Sequence, residues 1–166
     1  MTKSACFVQT PLGTLTLAEW NGALKELRFA PQMEADEKLM QTPLLRHAEE
    51  ELLEYFAGKR TAFTVPMAPE GTPFQQAVWR ILLTIPYGET RTYGEVAKLI
   101  GNPKASRAVG MANHRNPLAI FYPCHRVIGA GGKLTGYGGG ISVKEFLLTL
   151  EKALPPASGA REAAPV

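Results

Sequence analysis

The sequence predicts a mixed α/β protein of two domains, and two kinds of signal support that prediction. Near the start, residues 14–20 alternate in a way typical of a strand with one buried face. Further along, three segments carry helix-capping patterns, in which a Ser or Thr precedes a Glu or Gln by three residues. We predict a small N-terminal domain with an antiparallel sheet and a helix over residues 1–68. A mainly helical domain is predicted over residues 69–153.

The predicted N-terminal domain contains a hairpin and a helix. Asn21-Gly22 follows the first strand, and this dipeptide strongly favours a two-residue hairpin turn. The returning strand is expected to contain Leu24, Leu27 and Phe29. A helix is expected over residues 44–57, with Gly58 just past its end. Its apolar face is formed by Leu45, Ala48, Leu52 and Phe56. Residues 61–65 suggest one more strand.

Residues 66–71 read as a linker, and helix-capping patterns follow it. Thr72 to Gln75 and Thr92 to Glu95 each form a capping box, and these boxes begin helices that stop before Pro86 and at Gly101. We expect Asn102 to cap a third helix running to Ala112, and Ser142 to cap a last helix that ends before Pro155. The two helices joined at Gly101 have the pattern of a helix-turn-helix. Residues 154–166 are expected to be a disordered tail.

Charge is unevenly distributed along the chain. The whole sequence carries a net charge of +3, but residues 1–90 carry −3, whereas residues 91–144 carry 8 Lys or Arg and the single acid Glu95. A basic block of this kind suggests a polyanionic partner such as nucleic acid. A solvated basic face without a partner remains the alternative.

The predicted second helix of the helix-turn-helix has a stripe of small residues. Ser106, Ala108 and Gly110 would let its backbone approach a surface closely, which suits the narrow minor groove of DNA. The helix lacks the side chains expected for sequence-specific reading of the major groove. We therefore expect binding through shape and phosphate contacts. Close packing of a small-residue helix in the core is the alternative.

The composition favours a soluble protein of a reducing compartment. No apolar run of ~20 residues is present, so no membrane span is expected. The first residues do not resemble a signal peptide. Cys6 and Cys124 are the two cysteines, too few for a disulfide framework, so we expect free thiols in the cytoplasm. Cys6 is expected to be a small buried hydrophobe.

A polar quartet, Pro123-Cys124-His125-Arg126, interrupts two apolar, strand-like runs at residues 119–122 and 127–128. Cysteine reacts as the thiolate, and a neighbouring base and positive charge would lower its pKa. His125 and Arg126 supply both kinds of group. Neighbours on a strand point to opposite faces, so Cys124 and His125 could meet only through a sharp turn or a bridging water. Pro123 makes a turn plausible.

Two further features could complete such a site. Glu151 could orient the histidine. From its spacing in the sequence alone, however, Glu151 fits better as a carboxylate on the protein surface. The segment 129–140 holds seven glycines, among them Gly138, around Tyr137. It could admit a flat ligand closely, with Tyr137 stacked on a base. It lacks the spacing of a phosphate-binding loop, and a flexible loop is the alternative.

A signature resembling that of the O6-alkylguanine-DNA alkyltransferases, also called methylated-DNA–protein-cysteine methyltransferases, runs through the basic block. Its residues are Ser106-Arg107-Ala108-Val109-Gly110, Asn116-Pro117, Ile120 and Pro123-Cys124-His125-Arg126-Val127-Ile128. The resemblance extends from Gly71 to Glu151, and the N-terminal part resembles the small domain of the bacterial constitutive type. It implies a ribonuclease H-like N-terminal domain and a C-terminal domain with a winged-helix-like helix-turn-helix.

The resemblance implies catalytic roles for five residues. Cys124 matches the alkyl acceptor, His125 the base that deprotonates it through a bound water, and Glu151 the carboxylate that holds the histidine. Asn116 matches a hinge asparagine between the DNA-binding helix and the site. Tyr93 matches a tyrosine that meets the flipped nucleotide and helps guanine leave.

The resemblance also implies a surface for DNA and for the damaged base. Arg107 matches an arginine finger that enters the duplex where the target base leaves, Tyr137 an aromatic wall and Lys144 a supporting lysine. The residues expected to contact DNA or substrate are Arg107, Ser106, Ala108, Gly110, Tyr137, Gly138, Lys144 and Arg126. The implied partner is double-stranded DNA with alkylated bases, bound through the minor groove by a monomer without any cofactor.

Two departures from the family pattern bear on function. Some members bind zinc through N-terminal cysteines and histidines, but Cys6 is the only N-terminal cysteine, so we expect no metal. Alkyltransferase-like proteins carry tryptophan at the acceptor position, and this chain retains Cys124. Two other functions stay open from the residues alone. One is a cysteine hydrolase using Cys124 and His125, and the other is a DNA-binding module that only marks damage.

Overall fold

A computed structural model describes residues 1–153, so the predicted disordered tail at residues 154–166 lies outside the described residues. The chain divides into two compact units. The first contains Met1–Glu70 together with Pro117–Phe121, and the second contains Gly71–Asn116 and the described residues from Tyr122 onward.

The segment Pro117–Phe121 belongs to the first unit, although the sequence assigned it to the second domain. The backbone N–H of Leu27 donates to the carbonyl of Pro117 at 2.9 Å. The ring of Phe121 lies 4.4 Å from that of Phe63, measured between centroids. One backbone hydrogen bond and one aromatic contact thus attach this segment to the first unit.

The first unit is a four-stranded sheet with one helix. Its elements are β1 (Lys3–Thr10), β2 (Gly13–Trp20), β3 (Ala23–Arg28), β4 (Glu37–Leu39) and α1 (Pro43–Phe56). The strand order is β3-β2-β1-β4, with β4 parallel to β1 and the other pairs antiparallel. The predicted hairpin is confirmed, because Asn21 and Gly22 take positive φ angles of 53° and 75° as a type I′ turn requires. The sequence analysis missed β1 and β4.

The helix α1 is confirmed, but the strand expected at residues 61–65 is wrong. Leu45, Ala48 and Leu52 of α1 are fully buried. Glu51, on the same helix, is also buried, and its Oε1 accepts from the backbone N–H groups of Thr64 and Val65 at 2.9 and 3.0 Å. These donors therefore bind a side chain instead of a neighbouring strand.

The second unit is mainly helical. Its elements are α2 (Pro73–Leu82), β5 (Arg91–Thr92), α3 (Tyr93–Leu99), α4 (Ser106–His114), β6 (Val127–Ile128) and α5 (Ile141–Leu150). The two predicted capping boxes at Thr72 and Thr92 are both formed. The indole Nε1 of buried Trp79 on α2 donates to the carbonyl of Ala112 on α4 at 2.9 Å. Within residues 1–153, no helix has the length and apolar character needed to span a bilayer.

Two predicted helix starts are wrong. The third helix begins at Ser106 and not at Pro103, because Asn102 completes the end of α3. Gly101 adopts φ 84°, and the Asn102 N–H closes onto the carbonyl of Ala97 at 2.9 Å. The last helix begins at Ile141, directly after Gly140 (φ 101°), without a hydrogen bond from the Ser142 side chain.

The strand expected at residues 119–122 is also wrong. Ile120 takes a positive φ of 75°, which ends any extended run at that residue. Val127–Ile128 is the confirmed strand β6, and it pairs in parallel with β5. The polar quartet therefore lies between a turn and a short strand.

Candidate active site

The chain turns sharply at Pro123, which places Cys124 at the start of a single 3₁₀ turn. Pro123 has φ −76° and ψ 66°, and the N–H of Cys124 donates to the carbonyl of Tyr122 at 2.7 Å. These are the features of an inverse γ-turn, whose φ a proline ring already favours. The 3₁₀ turn Cys124–Arg126 follows. Cys124 and His125 therefore do not lie on an extended strand, which would point their side chains to opposite faces. We call residues 122–126 the reactive turn.

Two asparagine side chains hold the reactive turn. Asn116 Nδ2 donates to the carbonyl of Tyr122 at 2.8 Å, and Asn113 Nδ2 donates to the carbonyl of Cys124 at 3.2 Å. Asn113 lies on α4 and is buried. Sequence reasoning missed it, although an Asn at the end of a helix and three residues before Asn116 was a usable signal. The helix predicted to contact DNA is thus bonded to the carbonyl group of the candidate acceptor.

His125 and Glu151 form a fully buried pair. His125 Nε2 lies 2.7 Å from Glu151 Oε2, and neither side chain is exposed to solvent. Glu151 follows α5 directly as its C-terminal capping residue. The structure thus brings together the histidine and the carboxylate that the resemblance implied.

Arg126 binds Glu151, whereas the sequence analysis placed its positive charge beside the thiol. Its Nε donates to Glu151 Oε1 at 2.8 Å, and its Nη2 donates to Glu151 Oε2 at 3.0 Å. Its Nη1 donates to the carbonyl of Ile85 at 2.7 Å. This fork of donors binds both oxygens of one carboxylate, which is a geometry that guanidinium favours. Arg126 is therefore a support for Glu151.

Electrostatics keep Glu151 ionised and His125 neutral. Burial on its own would raise the pKa of Glu151, but the hydrogen bonds from His125 and Arg126 and the charge of Arg126 outweigh it and lower the pKa to about 2. Burial lowers the pKa of His125 by more than its bond to Glu151 raises it. A neutral His125 donates its Nε2 hydrogen to the carboxylate. Its Nδ1 is then a buried lone pair that has no hydrogen-bond partner within residues 1–153.

Cys124 is a neutral thiol at rest. Burial raises the pKa of Cys124, against the opposing effects of hydrogen bonds with Asn116 and Tyr137 and of the charge on Lys144. A neighbouring base and positive charge were expected to lower the pKa of this cysteine. Burial dominates instead, so the thiol must lose its proton during the reaction.

Lys144, and not Arg126, is the cation that acts on the thiol. Its side chain is fully buried, and its Nζ donates to the carbonyls of Val127 at 2.6 Å and Thr135 at 2.9 Å. Burial lowers the pKa of Lys144 to about 8. The same Nζ lies 5.8 Å from the centroid of the Tyr93 ring. The buried ammonium of Lys144 thus acts electrostatically on the sulfur, donates to the Gly-rich segment and lies near the ring of Tyr93.

Four of the residues predicted to contact DNA or substrate lie on α4. Arg107 and Ala108 are exposed, and Ser106 and Gly110 are half-buried. A Cβ atom on Gly110 would lie 3.8 Å from the Tyr93 ring, an ordinary van der Waals distance, so this ring lies beside α4 at Gly110. In the Gly-rich segment, Tyr137 is buried and Gly138 is exposed.

No metal site is found in the part of the chain that the structure describes. Within residues 1–153, no group of three or more His, Cys, Asp or Glu side chains could hold an ion. Cys6 is a buried free thiol, and burial raises its pKa to about 12.

Comparison with known proteins shows the family to which this chain belongs. The family described as 6-O-methylguanine DNA methyltransferase matches twice, through its ribonuclease-like domain at residues 6–69 and its DNA binding domain at residues 73–153. A methylated-DNA–protein-cysteine methyltransferase of Methanosarcina acetivorans is 54% identical over 147 residues, which cover 86% of this chain and 94% of the relative. The chain belongs to the 6-O-methylguanine DNA methyltransferase family.

Other relatives in the family extend the match. The constitutive methylated-DNA–protein-cysteine methyltransferase of Bacillus subtilis is 47% identical, covering 87% of this chain and 92% of the relative. The crystal structure of Mycobacterium tuberculosis OGT in complex with DNA is 52% identical with a TM-score of 0.84, covering 93% of this chain and 96% of that one. A methyltransferase structure from Methanococcus jannaschii is 27% identical with a TM-score of 0.64, covering 92% and 96%. These matches confirm the predicted fold class.

The buried carboxylate predicts a specific acid sensitivity. A carboxyl group whose pKa is lower in the folded than in the unfolded protein stabilises the folded state at pH values above its unfolded pKa of 4.5. This stabilisation is lost as the pH falls towards the folded pKa of about 2. That difference corresponds to roughly 3 kcal/mol. Glu151→Gln should therefore make the fall in unfolding free energy over this pH window smaller, measured by urea denaturation, while carboxyls such as Glu37 and Glu51 keep their own contributions. It should also lower stability at pH 7, because Arg126 loses its charged partner.

Glu89→Gln is the matched control, because Glu89 is exposed and forms only a surface ion pair with Arg91 at 3.2 Å. Its unfolding free energy should fall with decreasing pH in the same way as that of the unmodified protein. Equal acid profiles for Glu151→Gln and the unmodified protein would show that Glu151 is not held ionised.

Proposed function

We propose that this protein repairs alkylated DNA by moving an alkyl group from the O6 atom of guanine onto its own Cys124. O4-alkylthymine is proposed as a second substrate. The observation that carries the proposal is a buried cysteine that adjoins a neutral histidine, itself held by an ionised, buried carboxylate. The 54% identity to methylated-DNA–protein-cysteine methyltransferases supports the same reaction.

The first step is removal of the thiol proton. His125 is neutral, and its Nδ1 has no protein partner within residues 1–153, so it can accept this proton through a bound water. The imidazolium that forms is stabilised by the ionised Glu151 at 2.7 Å. The new thiolate is stabilised by Lys144, Asn116 and Tyr137, which all lower the pKa of Cys124.

The second step is displacement at the alkyl carbon. The sulfur of Cys124 forms a bond to this carbon while the bond from carbon to O6 breaks, and the electron pair of that bond stays on guanine. The departing guanine takes up one proton from water, His125 returns the thiol proton to water, and a hydrogen bond from Tyr93 eases the negative charge that develops on the base. The product is a thioether, which water does not cleave. Each protein molecule therefore reacts once, and no cofactor is consumed.

DNA is bound through α4 before either step. The small, exposed start of this helix suits the minor groove, and phosphate contacts from the basic block weaken as the salt concentration rises. The lesion is flipped out of the stack, at a cost of a few kcal/mol. Arg107 fills the gap in the duplex. The DNA complex of the M. tuberculosis relative, at 52% identity, supports a role in DNA binding.

The flipped base meets a pocket supplied by one chain. Tyr137 forms an aromatic wall, Gly138 lets the base approach the backbone, and Lys144 supports the loop.

Since one chain supplies every residue of the mechanism, we infer a monomer. A reaction that depends on a free thiol also needs a reducing compartment, which the cytoplasm provides.

Mass spectrometry tests the transfer directly. Incubation with duplex DNA containing O6-methylguanine should add one methyl group to the peptide of Cys124 and should saturate at one per protein. Cys124→Ser should gain no mass, because its hydroxyl is a far weaker nucleophile at neutral pH. Cys6→Ser is the matched control and should react normally.

Two outcomes would contradict the proposal. Repeated turnover by one molecule would indicate a hydrolase, because a hydrolysed intermediate regenerates the thiol. Tight binding to the damaged DNA with no change in the mass of the protein would indicate a protein that only marks damage.

The proposed role of Arg107 as an arginine finger predicts that its loss slows alkyl transfer from two substrates by different factors. Arg107→Ala should slow repair of duplex DNA by at least tenfold, because nothing then fills the gap left by the flipped base. Reaction with free O6-alkylguanine should change little, since no duplex is opened. The measurement is the single-turnover rate on each substrate, with Arg46→Ala, at an exposed arginine of α1 outside the basic block, as the control. Equal losses on both substrates would contradict the finger role.

A further inference from the structure

Thr135 bonds to two of the proposed active-site residues. Its Oγ1 lies 3.0 Å from the phenolic oxygen of Tyr93. Its carbonyl accepts from the buried Nζ of Lys144 at 2.9 Å. Thr135 belongs to the Gly-rich segment 129–140, so it connects that segment to both the phenol and the buried cation. The mechanism proposed above gives it no role.

The ring of Tyr93 is already fixed on its other sides. Tyr93 is the first residue of α3, directly after the capping box of Thr92 and Glu95. Its ring faces the side-chain-free backbone of Gly110, and Lys144 Nζ lies 5.8 Å from its centroid. The polar end of the ring is therefore the part that still needs a fixed partner. The Thr135 hydroxyl supplies one.

A hydroxyl partner can also direct the phenolic proton. A threonine hydroxyl both donates and accepts, so it can donate to the phenolic oxygen and leave the phenolic hydrogen free. A phenol that accepts one hydrogen bond becomes a better donor in the next, because bonds in a chain polarise one another. Such a phenol is suited to the negative charge that develops on a departing guanine.

We propose that Thr135 is a positioning residue, whose hydroxyl aims the Tyr93 phenol at the leaving guanine base. This inference rests on the proposed alkyl transfer and adds a residue to it. Thr135 does not touch the reacting atoms and acts only through Tyr93. Its carbonyl bond to Lys144 is a separate interaction that survives any side-chain substitution.

The test compares Thr135→Val with Thr135→Ser in single-turnover alkyl transfer from O6-methylguanine duplex DNA at saturating protein. Valine keeps the shape of the side chain and its carbonyl bond but removes the hydroxyl. We expect a loss of about fivefold to tenfold in rate, typical of one lost neutral hydrogen bond. Thr135→Ser should keep the rate near that of the unmodified protein. The dissociation constant for undamaged duplex should be the same in all three.

A double substitution separates positioning from a general loss of structure. If Thr135 acts through Tyr93, Tyr93→Phe with Thr135→Val should be no slower than Tyr93→Phe on its own. Thr61→Val, at an exposed threonine of the first unit, is the matched control and should react normally. Thr135→Ala removes the same hydroxyl and serves as the second variant if the valine substitution disturbs folding.

The outcomes are distinct. Normal transfer by Thr135→Val, losses that multiply in the double variant, or failure of serine to preserve the rate would each overturn the inference while leaving alkyl transfer to Cys124 intact. Absence of any methyl gain by the unmodified protein would overturn the proposed function and this inference with it.

Discussion

The active-site geometry depends on one negative charge, the buried carboxylate of Glu151. An unpaired charge in a protein interior is strongly unfavourable, so it must be met by donors on every side. Arg126 binds both of its oxygens, and His125 binds one of them at 2.7 Å. These bonds fix which nitrogen of His125 carries hydrogen and leave the other as a base. Glu151 therefore orients the histidine and also determines its tautomer.

The resting thiol follows from the same burial. Removing Cys124 from water keeps it protonated, which protects it from oxidation, because the thiolate is the reactive form. A protein that can react only once gains from such protection. Lys144 and two hydrogen-bonding side chains then stabilise the anion when His125 accepts the proton. Because Asn113 of α4 bonds to the carbonyl of Cys124, the proposed DNA-binding helix and the reactive turn form one bonded structure.

The sequence predicts those features that depend on neighbouring residues. The capping boxes at Thr72 and Thr92 and the Asn-Gly turn are local and are confirmed, and proline before Cys124 indicates the reactive turn. The local pattern at Ser142 failed, because α5 begins directly after Gly140. The strand expected at residues 61–65 failed because the side chain of Glu51, far away in sequence, takes its hydrogen bonds. Arg126 was expected to act on the thiol but binds Glu151, whose position 25 residues away in the sequence gives no local signal. The sequence does not show which charged groups the fold brings to Cys124.

The central claim is that His125 is a neutral base at rest, with its hydrogen on Nε2. Nitrogen-15 NMR of the histidine side chains measures protonation state and tautomer together, and His125→Gln identifies the signal. At pH 7 in the free protein, we expect a neutral ring with hydrogen on Nε2, and in Glu151→Gln a mixture of tautomers. A positively charged ring at pH 7, or hydrogen held on Nδ1, would contradict the account, because His125 could then not accept the thiol proton.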